Sequence, residues 1–498
     1  MRVRFGRAAM RNGTELAVWL GLDVGTSSVK AVLLDDGGTV LGRGSGAVRT
    51  VRDGPDRAEQ APEDYVGAAA AATEQAFRGV GDVRLRGIGL SGQTPTLVVV
   101  DDGGEAVRPA IGWQDTRAKR QAVELERELG DPLPLIGTSL PWSASACPAK
   151  MRWLAEHEPE TVRRGRTLLQ PKDYLGLVLT GSAMSDPWSS KGLCHVLTAS
   201  PASAVVEATG WPVSAVPVLA QGWTARGTLT EAGAKALGLK AAGVPVSVGC
   251  SDAMSGMLAL GALTEPASFV LTGTSSMTGT SVRAGPDQAH PLYVIPPECS
   301  PMTVVYGPTQ SSGASVEWAG RMLGRTPDEV VALAGQARRR PVFVPYLSGE
   351  RAPVWRGDVR AVLAGLGADD GPAELAAAVL AGVSLADRHV LQTAATLLGA
   401  AGSGPVRLGG HAGRDRRWWE VRGRTLGVDL EAVDDTDPPS RGAAMTAMAA
   451  SGTDLAAAVG RLAAPVHHVP VTAEARREAE RAYAVYLRWA GHTLDSDY

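Results

Sequence analysis

A chain of 498 residues is too long for one ordinary core, and about two to four domains are expected. Its hydrophobic share of 44% and charged share of 20% are those of a globular protein, which excludes a disordered chain and a membrane bundle. A formal net charge of -3 leaves no general basic field for nucleic acid or acidic lipid, and the short basic runs 338–340 and 414–417 read as solvated faces.

Residues 1–16 carry Arg2, Arg4, Arg7 and Arg11 ahead of the apolar run 17–22. Asp23 interrupts that run and no small-residue cleavage site follows, so the segment reads as an N-terminal extension, with Met10 as an alternative start. Residues 17–22 have strand length, 23–28 are turn-like, 29–34 return as a second strand, and a third begins at Val40 after the turn Asp35-Asp36-Gly37-Gly38. The chain thus opens as a β-meander. Pro62, Glu63 and Asp64 start a helix with alanines behind them. Residues 86–91 and 97–100 predict strands, and 116–129 a charged helix. Residues 244–249 are strand-like and lead through Cys250-Ser251-Asp252-Ala253 into a small-residue helix, 254–260. A domain boundary is expected near 260–266.

The second half repeats the opening. Residues 267–272 and 277–282 are strand-like around Gly273-Thr274-Ser275-Ser276, so Gly-Thr-Ser-Ser occurs twice, each time between two strands. Helices at 312–323, 374–398, 414–425 and 441–450 then alternate with strands at 342–344, 406–408 and 428–433, an α/β layout. A last helix, 473–489, packs back on one of the domains. Cys147, Cys194, Cys250 and Cys299 are scattered and form no C-x-x-C pair, which predicts neither a zinc site nor a disulfide framework and fits a reducing, cytoplasmic location. No apolar run approaches the roughly 20 residues of a spanning helix.

Several of these turns carry candidate chemistry. Asp23 stands beside a turn whose backbone N–H groups and hydroxyls could hold phosphate, and it reads either as an anchor for Mg²⁺ through water or as part of an Asx turn. Asp252, at a helix start, reads either as a cap or as a general base for a substrate hydroxyl. Gly409-Gly410-His411 between a strand and a helix lets a flat base or ribose approach the backbone, while His411 by itself reads as structural. Gln93, Trp113 and Asp115 lie at strand ends and supply the hydrogen-bonding groups and aromatic face that a sugar needs; Trp113 reads equally as packing.

The ordered set resembles the FGGY carbohydrate kinases, on the xylulokinase and gluconokinase branch. The matching strings are Gly21-Leu22-Asp23-Val24-Gly25-Thr26-Ser27, Trp113-Gln114-Asp115-Thr116-Arg117, Pro171-Lys172-Asp173-Tyr174-Leu175, Ser251-Asp252, Gly273-Thr274-Ser275-Ser276, Tyr346-Leu347-Ser348-Gly349-Glu350-Arg351-Ala352-Pro353 and Gly409-Gly410 with Ala412. They run from about residue 19 to residue 450 in the family's order. The resemblance implies two actin-like, RNase H-type α/β domains around a cleft, with 17–262 binding sugar and 263–498 binding ATP. It implies Asp252 as catalytic base and substrate contact and Asp23 as the metal-linked residue. Thr26, Ser27, Gly273 and Thr274 fall on phosphate-contacting hairpins, Gly409 and Gly410 on the adenosine turn, and Gln93, Trp113 and Asp115 on the sugar site. The string 346–353 is a hallmark with a structural or interdomain role. Departures are Pro95 where a sugar-contacting histidine is usual, Ala253 where asparagine is frequent, and His411 in place of a third glycine. The expected activity is ATP- and Mg²⁺-dependent phosphorylation of a small sugar, a xylulose-like ketose first. Gluconate, polyol or cyclitol kinases, a non-catalytic sensor and another actin-like ATPase are the alternatives. The expected partner is a small sugar or polyol, without nucleic acid or membrane, and a homodimer is a family-level expectation.

Overall fold

The computed structural model describes residues 16–140, 142–240, 242–310, 312–399, 404–410 and 415–495. Most of the expected N-terminal extension (1–15) and the expected turn residues His411 and Ala412 lie outside them.

The first sheet holds β1 (Leu16–Val24), β2 (Ser28–Asp35), β3 (Val40–Ala47), β4 (Val83–Gly92), β5 (Ala225–Thr228) and β6 (Pro245–Ser247), in the order β5-β6-β4-β1-β2-β3. The first three strands form the expected antiparallel meander, closed at Val24↔Val29. β4 runs parallel to β1 and sets Ser91 beside Asp23, and the two-residue piece Cys250–Ser251 pairs with the end of β4. Asp23 and Asp252, distant in sequence, thereby reach the same end of one sheet.

The second sheet is built alike. It holds β7 (Ala267–Thr272), β8 (Ser276–Val282), β9 (Tyr293–Ile295), β10 (Thr303–Pro308), β11 (Val406–Gly410), β12 (Leu430–Val433) and β13 (Val466–Val469), ordered β9-β10-β8-β7-β11-β12-β13. Here too an antiparallel hairpin with the Gly-Thr-Ser-Ser turn lies beside a parallel strand, with Thr272 opposite Gly410. The last helix packs on this half, where Tyr486 donates its hydroxyl hydrogen to Tyr346 at 3.4 Å.

Small residues set how closely the layers approach. The helix α1 (Pro62–Phe77) starts at proline with Glu63 and Asp64 in its first turn and buries Ala68, Ala72 and Ala76. Gly42, Gly44 and Gly46 of β3 meet that alanine face; a Cβ on Gly44 would lie 1.9 Å from the Ala72 carbonyl oxygen. A second helix does the same from the other half of the chain. α3 (Pro438–Ala450), numbered after α2 (Asp252–Ala259), lies on the first sheet: a Cβ on Gly21 would come 1.9 Å from Ser440 O, and one on Gly89 1.6 Å from Ala443 O. Gly442 of α3 meets α2 in the same way, its missing Cβ 1.8 Å from Ser255 O. One buried cluster runs across this junction, from Trp19 and Val32 through Met254 and Phe269 to Ala444 and Met448.

Several expected boundaries move by a few residues, and two of the shifts have a clear local cause. The charged helix starts at Lys119 rather than Thr116, because the Thr116 N–H and hydroxyl are held by Asp56 at 2.9 and 2.8 Å. β12 starts at Leu430 rather than Val428, after the left-handed Gly427 that ends the helix Arg416–Leu426. No helix among the described residues is long and apolar enough to cross a membrane.

Candidate active site

A cleft of about 430 Å³ opens between the two sheets, and Asp23, Asp252, Gly273, Thr274 and Gly410 line it together. Asp23, near the end of β1, accepts the Ser91 hydroxyl hydrogen at 2.8 Å. Burial raises its pKa; Asp437 adds to that, while the Ser91 hydrogen bond and the Lys30 charge oppose it.

Asp252 is the first residue of α2. The cap is Ser251, whose hydroxyl accepts the Met254 N–H at 3.4 Å, so the side chain of Asp252 is left to face the cleft. It accepts the N–H of Ala253 at 2.7 Å. Its pKa is pushed up to about 7, first by burial and then by the negative charge of Asp23, against the Ala253 N–H and Lys191. A carboxylate in that range at the floor of a cleft exchanges protons near neutral pH.

The second hairpin turn is strapped through its backbone. Ser312 N–H donates to Thr274 O and Gly313 N–H to Gly273 O, both at 3.0 Å. Gly410 has φ +88 and faces the cleft, where a Cβ would lie 2.1 Å from Thr272 O. Gly409 sits one step deeper, its carbonyl accepting the Thr272 hydroxyl at 2.9 Å.

The first hairpin turn belongs to a different group. Thr26 donates its hydroxyl hydrogen to Gln93 Oε1 at 3.1 Å and accepts Trp113 Nε1–H at 2.9 Å. Gln93 Nε2 reaches Gln60 Oε1 at 2.8 Å. Three expected site residues, Thr26, Gln93 and Trp113, are thus one network, with the Trp113 ring 38% exposed. Ser27 is exposed at the tip. Asp115 is 0% exposed, and its oxygens accept Ala58 N–H at 2.7 Å and the backbone and guanidinium of Arg117 at 2.7 to 3.1 Å. The expected sugar contact at Asp115 therefore meets a buried carboxylate already engaged on both oxygens.

Charged groups without a place in the sequence motifs also lie in the cleft or act on it. Lys30 Nζ bonds Asp437 at 2.6 Å across the junction, and both line the cleft. The signal was present, since Lys30 stands two residues after the first Gly-Thr-Ser-Ser. Lys191 donates to Trp188 O at 3.1 Å and lies 5.1 Å from the Trp188 ring. Burial lowers its pKa, while Asp186 and Asp252 are among the groups that oppose this. Its sequence position offered no sign of that neighbourhood. Among the described residues no group of three or more His, Cys, Asp or Glu side chains could hold a metal. Two carboxylates raised above their ordinary range at one cleft still fit Mg²⁺, which keeps most of its waters and takes one or two protein carboxylates.

Residues 18–259 match the N-terminal domain of the FGGY family of carbohydrate kinases, and residues 269–451 match its C-terminal domain. Over 455 residues the chain is 30% identical to a xylulose kinase of Escherichia coli (strain K12), covering 88% of this chain and 91% of that protein. The fold superposes on a xyloylose kinase of Brucella ovis with a TM-score of 0.84 at 27% identity, covering 96% of this chain and 100% of the other. A gluconate kinase of Lactobacillus acidophilus shares the fold with a TM-score of 0.85 at 20% identity, covering 97% and 99%. Two actin-like α/β halves, matched along most of their length by both domains of one family, make this chain a member of the FGGY carbohydrate kinases.

Proposed function

We propose that the protein transfers the γ-phosphoryl group of ATP to a hydroxyl of a small sugar, with Asp252 as the general base. The observation that carries this reading is the Asp252 carboxylate, pushed up to about 7, in the same cleft as Asp23 and the turn 273–276. The acceptor lies toward Gln93 and Trp113, on the half formed by 17–262. The nucleotide lies toward 263–498, its base against the apolar end of the cleft formed by Val316, Pro327 and Trp418 and its ribose near Gly409 and Gly410. Backbone N–H groups of both Gly-Thr-Ser-Ser turns face phosphate oxygens. Asp252 takes the hydroxyl proton as the oxygen attacks in line, and closure of the cleft excludes water. Lys30 exchanges Asp437 for phosphate oxygens. Asp23 would hold Mg²⁺ through water, and the ion would supply charge neutralisation on those oxygens. Asp115 serves by holding Arg117 and the Ala58 backbone behind Trp113.

The relatives named for xylulose put a ketopentose first among acceptors. Lys191, a cation in the electrostatic neighbourhood of Asp252, favours a second reading, an acidic sugar of the gluconate type. Sugar-dependent ADP release is measured with Mg²⁺-ATP over ketoses, polyols, aldonates and cyclitols. A strong response to one class is the expected result and names the acceptor. Silence over the whole panel with ATP binding intact overturns the kinase reading in favour of a binding protein.

A further inference from the structure

The string 346–353 lines no part of the cleft, yet it keeps a buried acid. Glu350 is 4% exposed. Its Oε1 accepts Gln310 N–H at 2.5 Å and Arg351 N–H at 2.7 Å, and its Oε2 is buried without a hydrogen-bond partner among the described residues. A carboxylate in that setting costs more than an apolar side chain of the same size would, so filling space does not account for it.

The neighbours of Glu350 supply a reason. Three consecutive residues grip three others: Ala352 N–H donates to Pro308 O at 3.0 Å, Arg351 Nη2 to Thr309 O at 2.7 Å, and Glu350 accepts from Gln310. Backbone bridges between Glu350 and Arg356, at 2.8 and 2.9 Å, hold the gripping loop in shape. The gripped segment in turn holds one end of the second hairpin turn, at Ser276. Thr309 N–H donates to Ser276 O at 2.9 Å and Thr309 Oγ1 accepts Ser276 N–H at 3.2 Å. Just beyond, Ser312 and Gly313 hold Thr274 and Gly273.

We propose that Glu350 and Arg351 are positioning residues for the turn 273–276: through Thr309 and Gln310 they fix the height of its backbone in the cleft. The proposal rests on the reading that this turn meets the nucleotide phosphates. Glu350 presents an oxygen to two N–H groups at once, and glutamine at the same place keeps that oxygen.

The test compares Glu350→Ala, Glu350→Gln and Arg351→Met with the parent by amide hydrogen exchange and by separate KM values for ATP and acceptor. Glu350→Ala is expected to speed exchange in 272–277 and 309–314 by about tenfold or more. It is expected to raise the ATP KM about tenfold with the acceptor KM within about twofold of the parent. Glu350→Gln restores both, and Arg351→Met falls between. Parent-like exchange in Glu350→Ala, an equal rise in both KM values, or a Glu350→Gln variant as impaired as Glu350→Ala overturns the proposal. If Glu350→Ala does not fold, unchanged exchange in Arg351→Met overturns it. If exchange responds as expected but no acceptor is phosphorylated even by the parent, the kinase reading falls and the positioning role stands.

Discussion

The same four residues turn the chain at 25–28 and at 273–276, and the two turns are held differently. Backbone bonds brace both, but at the first the turn's own side chain is also tied, the Thr26 hydroxyl being committed to Gln93 and Trp113. At the second, Ser312, Gly313 and Thr309 hold the backbone of the turn, and Thr274 lines the cleft. The strand ends ahead of the turns differ as well: two residues before its turn β1 carries Asp23, where β7 carries the apolar Leu271, and the Thr272 that follows spends its hydroxyl on Gly409. A short motif of small residues is therefore a shape, and its neighbours decide what it serves. In the proposed mechanism the backbone N–H groups of both turns face phosphate, while the Thr26 side chain serves the acceptor and the Thr274 side chain the nucleotide.

The largest expected effect lies between the two turns. Asp252→Asn removes the base both serve, and kcat should fall by about two to four orders of magnitude while ADP binding by calorimetry stays at the parent value. Turnover within a few-fold of the parent would detach Asp252 from the chemistry. Next, Asp23→Ala should lower kcat by about a hundredfold and move the Mg²⁺ titration to higher concentration. Thr272→Ala, at the end of β7, should show no such metal dependence, and a shared response would erase the distinction between the turns. Thr26→Val should raise the acceptor KM about tenfold, the size of one lost hydrogen bond, and leave the ATP KM near the parent, while Thr274→Val should do the reverse. A crossed or uniform result would break the comparison.

The smallest effect concerns stability. Because Asp252 is raised from the usual 3.8 to about 7, the unfolded chain loses that proton first, and the group destabilises the fold progressively as pH rises through the window between those values. Asp252→Asn should therefore unfold at a Tm several degrees above the parent at pH 8 and near the parent at pH 4. A Tm difference that does not grow with pH would contradict the burial of an ionised Asp252.

Much of this was legible from residues alone, and the reasons are local. Apolar runs around Gly-Thr-Ser-Ser define hairpins by their own pattern, and both formed with Val24↔Val29 and Thr272↔Ser276 pairing. Asp23 and Asp252 stood out because one closes an apolar strand at a small-residue turn and the other follows a strand-like run into a small-residue helix. What stayed hidden depends on partners far along the chain. Asp115 has the sequence setting of a ligand contact, and only the fold adds the distant Ala58 N–H to the neighbouring Arg117 on its oxygens. Gly21 and Gly89 read as ordinary strand residues until α3 arrives from the other half of the chain. The ion pair of Lys30 with Asp437 has the same origin.

That meeting of α3 with the first sheet bears on how the protein can change over generations. At Gly21, Gly89 and Gly442 even a methyl group would strike backbone carbonyl oxygen at under 2 Å, and backbone cannot step aside as a side chain can. Alanine, the mildest substitution, is closed to all three positions at once. In the proposed mechanism new acceptors are then acquired around Gln93, Trp113 and Lys191, while the seam behind Asp252 passes unaltered from one specificity to the next.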